Sequence, residues 1–138
     1  MTSTILVPVG GSDKDARALA VAGDLAQIAD ASVVVVRVCN PEAESATQES
    51  RSSMLQAMRA AAEVVGLRVP RGLTCEVLDG DDVPNALLRR ADGVNARILV
   101  MATRAPQAID RAIHGSVADR VVRDGTRPVV LVPISNKS

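Results

Sequence analysis

Phenylalanine, tyrosine and tryptophan are absent from all 138 residues of this chain. Without aromatic rings it cannot build the stacking platforms that hold single-stranded nucleic acid, and a bound purine would have to lie between aliphatic side chains. Charge of one sign is not in excess either, because 16 Lys and Arg face 16 Asp and Glu. No broad basic field draws nucleic acid and no run of like charge marks a membrane-facing patch, so neither is expected as a partner. Cysteine is limited to Cys39 and Cys75 with no C-x-x-C spacing, and both read as reduced thiols in or beside strands. The lone histidine, His114, supplies no metal site by itself. No Ser-His-Asp or Cys-His constellation is readable around it, so it reads as a solvated or capping residue and no catalytic residue is assigned. No apolar run approaches the roughly 18 residues of a membrane span, and no charged leader precedes one. A cytoplasmic location is expected.

What is present is a chain 47% hydrophobic, built on Val, Leu, Ile, Ala and Met, of a length that suits one domain over residues 1–138. Ile5–Val9 reads as a strand closed by Gly10-Gly11-Ser12, with Ser12 or Asp13 capping a helix from about Asp13 to Ala29. Ala18, Ala22, Leu25 and Ala29 give that helix one small-residue face for a sheet. Ser32–Val38 is nearly all β-branched with little alternation, which predicts a central parallel strand covered on both faces. Cys39 to about Ser50 is polar and aperiodic, as in a mobile surface loop. Met54, Met58, Ala61 and Val65 mark a second helix, Glu49–Val65, ending at Gly66. Leu73–Leu78 alternates like a strand near an edge, and Pro84 opens a helix to about Asp92. Asp79, Asp81 and Asp82 lack the spacing of a calcium loop and fit an acidic turn before that helix. Ile98–Met101 is a fourth strand, Ser116 to about Arg123 a fourth helix and Pro128–Ile134 a last strand. Strands alternating with helices at this spacing give an α/β fold, a five-stranded parallel sheet that is doubly wound.

The chemistry concentrates in the last third. Ala102-Thr103-Arg104-Ala105 follows the fourth strand as a loop, nine residues intervene, and Gly115-Ser116-Val117 opens a helix. The first N–H groups of a helix have no internal acceptor and the dipole favours negative charge, so this is an anion site in form. Arg104 and Arg111 add guanidinium groups suited to phosphate.

The spacing resembles that of the universal stress protein family, G-x-x-G, nine residues, then G-[S/T], and the opening ILVPVGGS is similar to the family's ILVPVDGS. RILVM, HGSVADRVV and RPVVLVP extend the resemblance over essentially the whole chain. It implies an adenine nucleotide alpha hydrolase-like sheet of order 3-2-1-4-5, with ligand bound where the order reverses, between strands one and four. Carried over by position, Pro8, Val9 and Val38 would cradle adenine, and Gly10 stands where ATP-binding members have aspartate. Ala102, Arg104, Ala105, Gly115, Ser116 and Val117 would surround the phosphates. The departures are Gly10, Ala102 and Ala105. Alanine in a phosphate loop costs about 1 kcal/mol wherever φ must be positive, and the lost carboxylate removes a hydrogen bond of about 1.5–3 kcal/mol. A degenerate pocket without turnover is therefore expected, in a regulatory domain acting through protein partners the sequence does not name. A working sensor of ATP or AMP, with at most slow hydrolysis, is the alternative. The apolar last strand would leave an unprotected edge in a monomer, and both this and the resemblance imply a homodimer through the C-terminal strand.

Overall fold

Strands and helices alternate along the chain in the computed structural model, which describes residues 3–11, 14–42, 47–66, 68–104 and 117–134. The strands are β1 (Ser3–Pro8), β2 (Ala31–Cys39), β3 (Leu73–Asp79), β4 (Ile98–Arg104) and β5 (Val129–Ile134). The helices among the described residues are α1 (Asp15–Ala29), α2 (Gln48–Val64), α3 (Val83–Gly93) and α4 (Val117–Asp124). All strand pairs are parallel and the order is β3-β2-β1-β4-β5. This is the doubly wound α/β sheet that the alternation predicts.

Period-two alternation divides the core. Ile5, Val7, Val33 and Val35 face one way and pack with Leu19 of α1 and Met58 of α2. Leu6, Val34 and Val36 face the other way and pack with Leu87 of α3 and Val121 of α4. Both faces are covered, which is why the strands read as continuous apolar runs.

The β-branched run of β2 predicts a parallel strand covered on both faces, and β2 is such an interior strand, lying between β1 at the centre and the edge strand β3. Any interior strand covered on both faces has that composition. Several boundaries differ from the sequence reading, each for a physical reason. β4 continues to Arg104, beyond the expected end at Met101, because Ala102, Thr103 and Arg104 pair with Val132, Pro133 and Ile134 of β5. In α2 and at its end the deeply buried residues are Met58 and Ala62, with Leu55, Ala61 and Val65 packed beside them, so three of the four expected stripe residues face the core. Leu55 and Ala62 join the expected Met54, Met58, Ala61, Val65 stripe on the inward face, and Met54 is not among the residues packed on the core. Gly66 follows at φ 66°, the left-handed turn expected after α2. Ser12 and Asp13 lie outside the described residues, as do residues 43–46 of the expected mobile loop. Cys39 is buried, Cys75 is half-buried, and neither is in a disulfide.

Candidate functional site

β1 and β4 are paired at two positions, Ile5 with Ile98 and Leu6 with Leu99. β1 then follows β2, through Val7 with Val35, Pro8 with Val36 and the Val9 N–H to the Val36 carbonyl at 2.8 Å. Because successive residues of a strand direct their N–H groups to opposite sides, the side that faces β4 at this point belongs to Pro8. Proline has no N–H to leave unsatisfied. β1 can therefore part from β4 without an orphaned donor, and a crevice opens at the carboxyl ends of the strands where the order reverses.

The cleft there has a volume of about 270 Å³, and its walls include Pro8, Val9, Gly10, Val38, Ala102 and Val117. These are six of the positions singled out in the sequence, now gathered from β1, β2, β4 and α4. Arg104 is the last residue of β4. Ala105, Gly115 and Ser116, with Arg111 and His114, lie outside the described residues. Val36, Val83, Leu87 and Met101 complete much of the apolar wall, and Lys14 and Asp15 bring charge to it.

Asp15 is the residue that sequence reasoning missed. Its carboxylate accepts hydrogen bonds from the Gly10 N–H at 3.0 Å and the Gly11 N–H at 2.9 Å, and the residue is buried. Two amide donors of the turn from β1 into α1, those of Gly10 and Gly11, are thus engaged by the chain's own carboxylate. Lys14 at the N-cap position makes no side-chain cap bond. The available signal was an acidic residue shortly after a strand-ending Gly-Gly pair.

Two of the expected departures look different in space. Nothing lies within 4 Å of where a Cβ on Gly10 would sit, so packing does not require glycine there. Ala102 stands inside β4 and not in a loop, and the non-glycine residues of positive φ among those described are Asp30 and Asn95. The left-handed backbone cost expected at Ala102 therefore does not arise. Its methyl group on the cleft wall is what remains of the difference.

α4 is fixed against the start of α3 by charge. The Arg120 guanidinium donates to both oxygens of Asp82, at 3.0 and 3.2 Å, and lies 3.9 Å from Asp124. Asp82 also caps α3 by accepting from the Asn85 N–H at 3.3 Å. The guanidinium, then the amide, holds the Asp82 carboxyl below the usual carboxylate range. Val83 and Val117, adjacent to these contacts in α3 and α4, are set as cleft walls.

The family model described as universal stress protein family matches residues 1–133. The chain belongs to the universal stress protein family. It is 35% identical over 138 residues to the Thermus aquaticus universal stress protein in QAH/OAS sulfhydrylase 3'region, covering 96% of this chain and 99% of that one. A universal stress protein structure from Archaeoglobus fulgidus has a TM-score of 0.78 at 24% identity, over 96% of this chain and 99% of the other. A universal stress protein in complex with cAMP has a TM-score of 0.71 at 24% identity, over 96% and 97%. The Archaeoglobus fulgidus protein in complex with dAMP has a TM-score of 0.69 at 23% identity, over 94% and 97%. The universal stress protein sheet order is the one found here, and among the described residues no helix is long and apolar enough to cross a membrane.

Proposed function

We propose that this universal stress protein is a cytoplasmic regulatory domain spanning residues 1–138, whose cleft between β1 and β4 holds an adenine nucleotide weakly and without turnover. The observation that carries this reading is the Gly10 end of the cleft. It has lost the carboxylate that would grip a nucleoside, and its Gly10 and Gly11 amides are already engaged by Asp15. Pro8, Val9 and Val38 supply aliphatic faces for a base, and the phosphate end falls to Ala102, Arg104, Ala105, Gly115, Ser116 and Val117. A lining carboxylate bonded to two amides is poorly placed to activate water, which supports binding in place of hydrolysis. Regulation then passes through protein partners and a homodimer formed at β5.

The test is isothermal titration calorimetry of nucleotide-stripped protein with AMP and ATP, with and without magnesium. Binding in the millimolar range or weaker is expected, and low-micromolar affinity would overturn the degenerate reading. Restoring Gly10→Asp, Ala102→Gly and Ala105→Gly together should tighten binding at least about tenfold. Since Ala102 is an ordinary strand residue, most of that gain is expected from Gly10→Asp.

The second reading, a working nucleotide sensor, is favoured by the 270 Å³ cleft and by the neighbours solved with cAMP and dAMP. It predicts tight AMP binding by the unaltered chain.

A further inference from the structure

A second cleft, of about 230 Å³, lies on the opposite side of the β1–α1 turn, bounded by α1, α2 and β2. Its apolar lining is Val9, Leu19, Val35, Ala57, Met58 and Ala61, and its charged lining residues are Asp15 and Arg37. Arg37 belongs to the same face of β2 as Val33 and Val35, so it is the first charge met where the core on the α1 and α2 side runs out. Its guanidinium lies across Gly11 so closely that a Cβ there would overlap it.

Arg37 differs from the other arginines whose side chains are described. Arg51, Arg71, Arg90, Arg120, Arg123 and Arg127 each hold a carboxylate. Among the described residues Arg17, Arg59, Arg68, Arg89 and Arg97 pair with no carboxylate, and they are exposed to water, Arg97 also donating to Ser3 Oγ at 3.4 Å. Arg37 is half-buried, and among the described residues it makes no hydrogen bond or ion pair. A partly desolvated guanidinium without an acceptor is costly to keep, and an anion placed in the cleft would relieve that cost.

The cleft also restricts which anion fits. One arginine offers a fork matched to a single carboxylate. Asp15 in the same lining, although engaged by the Gly10 and Gly11 amides, still repels a second negative charge and so disfavours a phosphate dianion. The remaining walls are aliphatic. An apolar cavity of about 150 Å³ accommodates benzene, so this one has room for a tail of about six carbons. We propose that the Arg37 cleft binds a short aliphatic carboxylate, with the head group on the guanidinium and the tail between Leu19, Val35, Met58 and Ala61.

The experiment is an NMR titration of the full chain with hexanoate, following the Met58 methyl group and the Arg37 Nε–H. Saturable shifts at both are expected. Hexanol, with the same tail and no charge, should bind at least about tenfold more weakly, as should hexanoate to Arg37→Gln. Ala61→Leu, which fills the cleft from α2, should remove the Met58 shift. Absence of saturation with hexanoate, or equal affinity for hexanol, overturns the proposal. The hexanol comparison uses the unaltered chain and decides the matter even where Arg37→Gln does not fold.

Discussion

Gly11 and Gly125 are held to glycine by different neighbours. At Gly11 the backbone sits at φ 88° and the obstacle is the end of the Arg37 side chain, which can move. Gly11→Ala should therefore cost about 1–2 kcal/mol, mainly from the left-handed backbone. At Gly125 a Cβ would stand 2.7 Å from the Val121 carbonyl oxygen and 2.8 Å from a Leu88 methyl group. That carbonyl belongs to α4 and cannot turn away, so Gly125→Ala should lower stability by about 1–3 kcal/mol as an overpacked contact. Chemical denaturation of both variants checks the two figures, and Gly10→Asp, with open space around its Cβ, serves as the variant expected to fold normally. At this scale six of the positions read from the sequence, Pro8, Val9, Gly10, Val38, Ala102 and Val117, line the cleft, since strand ends and glycine spacing are local. The sequence did not show Asp15 bonding the β1–α1 turn, because an acid in the first turn of a helix has the same local pattern whether it faces water or folds back.

The limits of legibility change at the level of whole elements. β1, β2 and β5 announce themselves through β-branched runs, and α3 through Pro84 and the Asp82 cap. The end of β4 was not legible, because Ala102, Thr103 and Arg104 carry no strong strand signal and are extended by pairing with β5. Tertiary pairing overrode local propensity there, and the reading of Ala102 as a strained loop residue failed with it. The join of α3 to α4 through Asp82 and Arg120 gives a pH-dependent expectation. The Asp82 carboxyl is held below its ordinary value of 3.8, so the pairing contributes fully above that value and is lost as pH falls through the lowered one. Asp82→Asn should therefore melt at a lower temperature than the unaltered chain at neutral pH, and the difference should shrink as pH drops below about 4. Parallel thermal melts across that range check it. A constant offset across that range would mean that the loss does not come from the ionised Asp82 carboxylate and its pairing with Arg120.

For the molecule as a whole, the two edges of the sheet are unlike. β3 carries Glu76 and Asp79, tied to Arg90 and Arg51 of the flanking helices. β5 is Val-Val-Leu-Val-Pro-Ile without a charge, and much of it is only partly buried. Light scattering should give twice the mass of one chain, and Val130→Lys, checked for fold by circular dichroism, should shift the protein toward monomer; a monomeric unaltered chain would remove β5 as the dimer edge. The difference between the edges also governs how far association can run. The Leu99 N–H bonds the Pro128 carbonyl at 3.0 Å, so by alternation Val129, Leu131 and Pro133 turn their backbone groups outward. The free edge thus offers donors at Val129 and Leu131 and ends at an imino residue. Fibril growth by sheet extension needs two adhesive edges on every subunit, and among the described residues the β3 edge carries charge where β5 carries none, so a pairing through β5 would leave an ill-suited second edge and favour an assembly that ends at two.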